Sequence, residues 1–322
     1  MKPFKTIEEQ IEILRERELN IEPDDVENVK NLLLKYGYYN IINGYKDLFL
    51  IEDTDSFREN IYFHDIYNLF SFDKSLRYLT LSATAEIEMT LRTAMSFVIA
   101  KKFGVFESDY LDPTNYDSGD YNPNTRQTDL EFILRKLTNA TYRDSEPYKH
   151  YRDTQGHIPP WILLNALSFG NLHKFYKLQE PCVKDEILDI ILKDNPNKDK
   201  TLFNDMVYII YKFRNQAAHI GRLYNYNLKN LQRGSSVTYN ESFHLNIGIN
   251  PALYRQDYGK NDYFTFINSV KFIDEKYFEI VLRPGLYLIF LNFCKNKNLP
   301  IEKLISEMGF PSIRHFDDLI KQ

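Results

Sequence analysis

The chain is poor in the residues from which small secreted or metal-bound scaffolds are built. Its 322 residues include only two cysteines, Cys182 and Cys294. They lie far apart and outside any metal-ligand spacing, which excludes a disulfide framework and a zinc finger. No apolar run approaches the roughly 18 residues that a membrane span requires. Glu8, Glu9 and Glu12 stand where a signal peptide would need an apolar core, so the expectation is a cytoplasmic protein with no membrane partner. His64, His150, His157, His173, His244 and His315 fall into no pattern such as H-E-x-x-H, and glycine-rich phosphate loops of the Walker or dinucleotide kind are absent. Neither a bound metal nor a cofactor is therefore expected.

Aromatic residues are plentiful: 24 tyrosines and 23 phenylalanines bring them to 15% of the chain. Such an excess can fill a core, offer stacking platforms for bases, or reflect a compositional bias of the source, and the last is the plainer reading. The net charge of -5 argues superficially against a nucleic-acid partner. The balance is uneven, however. From Met206 to Ser235 the chain carries Lys212, Arg214, Arg222, Lys229 and Arg233 with no Asp or Glu, and a basic stripe creates its own attractive potential.

Nearly every segment reads helical. Thr6 can cap a helix to about Arg17, with Glu9 completing a capping box, and Pro23-Asp24 open a second helix that Gly37 ends. The stretch from Tyr36 to Asp47, punctuated by glycine, reads as an ordered connector whose tyrosines pack. From Tyr62 to Lys102 there is neither Pro nor Gly, and Leu69, Phe72, Leu76, Leu79, Ala83, Ile87, Leu91, Ala94 and Val98 recur at helical spacing. This predicts one long helix, with Gly104 as its stop. Residues 107–124 form a polar loop, and helical signals resume over Arg126–Tyr142, Trp161–Leu178, Cys182–Leu192 and Thr201–Arg222. Trp161, with Ile162, Leu163, Leu164, Leu167 and Phe169, reads as core. Ser236–Tyr239 and Phe243–Ile247 suggest a small β-hairpin within an insertion near 234–259. A helix from Tyr263 to Phe290, interrupted at Pro284-Gly285, and two short helices close the chain. The expected fold class is all-α, with an N-terminal helical extension over 1–60 and a helical domain over 61–322.

The segment with chemical content is Arg214-Asn215-Gln216-Ala217-Ala218-His219. A permanently charged guanidinium can hold a phosphate while an imidazole, titrating near neutrality, moves a proton beside it. The spacing alone is weak, because Arg152 to His157 repeats it. That second copy contains Gly156 and runs into Pro159-Pro160, whereas the first continues the pattern of Leu202, Phe203, Met206, Val207, Ile210 and Phe213. On a helix Asn215 and His219 share a face, so the amide can orient the imidazole, and Arg214 lies about 140° round the axis from His219.

R-N-x-x-x-H on a late helix resembles the ribonuclease motif of HEPN domains. The chain is similar, up to about residue 230, to abortive-infection proteins of the AbiD/AbiF type. The likeness rests on five segments in order: Lys2 to Gln10, Tyr38-Tyr39-Asn40-Ile41-Ile42-Asn43-Gly44-Tyr45, Ile87-Glu88-Met89-Thr90-Leu91-Arg92, Trp161 through Phe169-Gly170-Asn171-Leu172, and Phe213 through His219. The resemblance implies a HEPN-like helical bundle and a metal-independent endoribonuclease, serving as a toxin in anti-phage defence. It further implies a homodimer whose two motifs face one RNA cleft, restrained by an antitoxin, either a small RNA or a protein. In these terms His219 transfers protons, Arg214 holds the scissile phosphate, and Asn215 positions His219 or the phosphate. Glu88 and Arg92 read, on their own, as an i, i+4 surface salt bridge; the resemblance raises them to supports of the cleft. Lys212, Arg222, Tyr211 and Tyr224, flanking the motif, are candidates for RNA contact. A non-catalytic RNA-binding or signalling module is the alternative, and a scaffold that touches no nucleic acid is a third reading.

Overall fold

The structure is a computed structural model, and it describes residues 4–193, 195–229, 236–294, 298 and 300–320. It is mainly helical. The helices of seven or more residues are α1 (Ile7–Glu16), α2 (Val26–Tyr36), α3 (Phe63–Phe103), α4 (Asp129–Thr141), α5 (Phe169–Lys177), α6 (Pro181–Leu192), α7 (Lys200–Ala218), α8 (Tyr263–Ile273), α9 (Arg283–Phe293), α10 (Ile301–Glu307) and α11 (Ile313–Ile320). Thr6 caps α1 in the expected box, accepting from Glu9 N while the Glu9 side chain accepts from Thr6 N.

α3 is the axis of the molecule. Freedom from Pro and Gly lets it run for 41 residues, until Gly104, at φ +101°, ends it. A helix that is apolar around most of its circumference must be buried on several sides, and α3 is packed by α6, α7, α9 and the turn Pro160–Leu163. Leu69, Leu76, Ala83, Leu91 and Val98 are all buried along it. The N-terminal segment packs onto the first part of α3: Tyr36 meets Phe70, with ring centres 5.0 Å apart, and Tyr45 donates to Asp73. Buried side chains from Ile11 to Ile320 form one continuous core.

Several elements differ from the sequence expectation. The hairpin near 234–259 is not formed: Glu241–Asn246 and Pro251–Arg255 are short helices. Asn240 caps the first by accepting from Phe243 N, and Asn250 caps the second, with Pro251 at its first position. Among the described residues the one strand pair joins Tyr121–Asn122, in the polar loop, to Gln127–Thr128, just before α4 and within the stretch from Arg126 expected to be helical. The expected helix Trp161–Leu178 is broken at Leu167 and Ser168, which are extended. The last long helix breaks at Asp274 (φ -141°, ψ 80°), whose carboxylate caps the next turn at Tyr277 N. Pro284-Gly285 instead lies in the first turn of α9, where proline's missing N–H costs nothing.

Candidate functional site

α7 begins with Asp199 accepting from Thr201 N and Leu202 N. Leu202, Phe203, Met206, Val207, Ile210 and Phe213 are buried along one side of it. That side fixes the rotation of the helix and leaves Arg214, Asn215 and Gln216 half-buried at its rim. The helix stops four residues sooner than expected, at Ala218. His219 is its C-cap residue and Ile220 takes a left-handed conformation, φ +61°. His219 N donates to Asn215 O at 3.0 Å, and its imidazole is exposed at the carbonyl-rich helix end.

The turn after His219 is held closely. Gly221 N donates to Gln216 O at 2.8 Å, and the Gln216 amide donates to Arg222 O at 3.0 Å. A Cβ on Gly221 would stand 2.3 Å from Gln216 Nε2, so only glycine lets the side chain close over the turn,. Arg214 Nη1 donates to Asn215 Oδ1 at 3.3 Å. Asn215 thus orients the guanidinium rather than the imidazole. Among the described residues no carboxylate lies within ion-pair distance of Arg214 or Lys212; Lys212 lies over the rings of Tyr208 and Tyr211, at 5.1 and 5.5 Å.

Two other members of the basic stripe, Lys229 and Arg222, are engaged. Lys229 pairs with Asp257 at 3.2 Å. Arg222 donates to Gly44 O at 2.5 Å and reaches Asp47 at 3.5 Å, so it ties α7 to the N-terminal segment and is not free to meet a phosphate. Tyr224 is wholly buried, which removes its ring from any stacking surface and corrects its reading as an RNA contact. Tyr211 is half-buried over Gly170, where an added Cβ would lie 2.7 Å from its ring. Arg233 lies outside the described residues.

Glu88 and Arg92 form a close pair on α3, with side chains 21% and 16% exposed. Arg92 also donates to Leu164 O, and to Leu167 O at 3.0 Å. It therefore holds the break before α5, and Phe169, two residues on, meets Tyr211 edge-to-face at 6.1 Å. Arg92 supports α7 through that break; no contact between Arg92 and the motif side chains is seen. The second R-x4-H copy is a staple: Arg152 donates to Thr141 O and Arg143 O, both at 2.9 Å.

Two features escaped the sequence reading. One is a buried network behind the motif. Asp73 Oδ1 accepts from Leu223 N and Tyr224 N at 2.9 and 2.8 Å, and Oδ2 accepts from Tyr45 Oη at 2.7 Å and Arg77 Nη1 at 2.5 Å. Burial raises the Asp73 pKa, against the opposing pull of Arg77. An i, i+4 Asp and Arg inside an apolar helix was the available signal. The other is Trp161, 49% exposed rather than core. With Met89, Arg92, Phe97 and Asn165 it lines a cavity of about 560 Å³.

Among the described residues, no group of three or more His, Cys, Asp or Glu side chains is placed to hold a metal ion. No described helix is long and apolar enough to cross a membrane. A family model described as Abi-like protein matches residues 31–225, more than half the chain. No curated protein and no solved structure matches.

Proposed function

The chain belongs to the Abi-like family, and on that premise we propose that it is a metal-independent endoribonuclease of the HEPN class, acting as a toxin in abortive infection against phage. The observation that carries the reading is the solvent-facing end of α7. There an exposed imidazole follows a guanidinium that no carboxylate neutralises among the described residues. A half-buried cation at the surface rim without an anionic partner is suited to take a phosphate.

The chemistry follows from RNA itself. The 2'-hydroxyl attacks the adjacent phosphorus, one proton leaves that hydroxyl, one reaches the departing 5'-oxygen, and charge grows on the phosphoryl oxygens. Arg214 meets that charge with paired N–H donors, held in direction by Asn215. His219 carries a proton. A single imidazole serves as acid or base at any moment, so a homodimer placing two α7 ends about one RNA supplies both. Glu88 and Arg92 stabilise the break that positions α5 against Tyr211. Lys212 and Tyr211 extend the surface toward the RNA backbone and bases. Restraint of the toxin falls to an antitoxin, a small RNA or a protein.

The test compares cleavage of total RNA by wild type, Arg214→Ala and His219→Ala. Each variant is expected to lose at least 100-fold in rate, with melting temperatures within a few degrees of wild type, since these side chains are exposed or half-buried. Cleavage persisting in His219→Ala at the wild-type rate overturns the assignment. Salt-sensitive RNA binding without products in wild type favours the non-catalytic module instead.

A further inference from the structure

At the far end of α3 from the N-terminal segment, three side chains converge that take no part in the α7 site. Lys102, in the last turn of α3, places Nζ 2.7 Å from Cys182 Sγ and 3.0 Å from Glu180 Oε2. Cys182 Sγ lies 3.6 Å from the same carboxylate oxygen. A separation of 2.7 Å is at the short end even for an N–H···O bond, and sulfur is larger than oxygen.

Rigid elements hold the pair together. Cys182 is the second residue of α6, whose Val183 and Ile187 are buried, and α6 packs along α3. Lys101 reinforces the register one residue earlier, donating to Glu186 at 2.7 Å. Contact with the Cys182 sulfur and then Glu180 holds Lys102 above its ordinary pKa, which keeps positive charge beside the sulfur. Lys102 draws the Glu180 carboxyl below its usual range, so Glu180 stays ionised and anchors the Lys102 side chain beside the sulfur. Cys182 itself is a free, exposed thiol.

We propose that Lys102 and Cys182 are joined by a single bridging oxygen when the protein meets dioxygen, as a reversible modification that staples α3 to α6. The amine and the thiol each lose one hydrogen, and N–O and O–S bonds form while the O–O bond breaks. One oxygen atom stays as the bridge, and the other leaves as water with both hydrogens. Dioxygen takes four electrons, two from nitrogen and two from sulfur. The ammonium proton passes to solvent before nitrogen reacts, since Lys102 and Glu180 both lie at the surface. Consecutive N–O and O–S single bonds bent at oxygen span nearly the separation already present, so the link closes without moving either helix.

The test holds the full chain in air-saturated buffer or with a thiol reductant, digests it, and reads the peptides by mass spectrometry. The expected result is a joined pair of peptides containing Lys102 and Cys182, heavier than their sum by one oxygen and lighter by two hydrogens. That species disappears in Lys102→Arg and Cys182→Ser and on reduction. Because the link closes a loop of about 80 residues, the oxidised chain melts roughly 5 °C or more above the reduced one. A Cys182 that remains a thiol, or that carries two or three oxygens with Lys102 unmodified, overturns the proposal. A pair joined with loss of two hydrogens and no oxygen gained shows a direct S–N bond and overturns the bridge.

Discussion

At the scale of single residues, the six positions from Arg214 to His219 divide the work between orientation and access. Asn215 fixes the guanidinium, Gln216 closes the following turn, Ala217 packs inward, and His219 is left exposed at the helix end. The histidines elsewhere have other roles. His173 is almost wholly buried with Nε2 3.0 Å from Asn204 Oδ1, and burial lowers its pKa to about 4. In the unfolded chain it titrates near 6.5 and takes up a proton that the folded chain refuses. Its contribution, on the order of 3 kcal/mol, is therefore full above pH 6.5 and lost as the pH falls toward 4. Asp262, wholly buried and raised by that burial to about 6, acts in the opposite sense over much of the same window. The two are separated by comparing wild type with His173→Gln in urea between pH 7 and 4.5. The stability difference should shrink as the pH falls; a constant difference contradicts this account of His173. The motif itself was legible in the sequence, because a helical pattern surrounds one copy of the spacing and a Gly-Pro-rich loop the other. The fates of Arg222, Tyr224 and Trp161 were not. Gly44 and Asp73, which settle the first two, lie about 150 or more residues away, and no local pattern announces such partners.

Among elements, α3 does most to place the site. It carries Asp73 and Arg77 at one level and Glu88 and Arg92 at another, and each pair reaches off the helix to fix irregular backbone near α7. Removing one member of a buried pair leaves the other uncompensated. Asp73→Ala is expected to cost roughly 3–5 kcal/mol, since it strands Arg77 and leaves Leu223 N and Tyr224 N without an acceptor. Chemical denaturation measures this, and a loss below about 1 kcal/mol would show that water or a shifted side chain replaces the carboxylate. The long helices were readable from apolar period and stop signals alone. The hairpin was misread because Ser236–Tyr239 and Phe243–Ile247 carry strand-forming residues, while Asn240 and Asn250-Pro251 carry the stronger, positional helix-cap signal. The breaks at Leu167 and Asp274 depend on a distant arginine in one case and a capping carboxylate in the other. Helical period continues through both.

For the whole molecule, the continuous core from Ile11 to Ile320 makes the N-terminal segment part of the support of α7. Arg222 and Tyr45 are the ties. The exposed end of α7 offers one guanidinium and one imidazole per chain, which is half of what in-line cleavage uses. The proposed homodimer supplies the rest, with Arg214 in place of any ion at the phosphate. That claim is tested most directly by incubating the full-length protein with RNA in excess chelator and identifying the new ends. The account predicts cleavage at the rate seen without chelator, leaving 2',3'-cyclic phosphate or 3'-phosphate ends, and no such ends with His219→Ala. Activity that appears only with added magnesium, or products bearing 3'-hydroxyl ends, would contradict it.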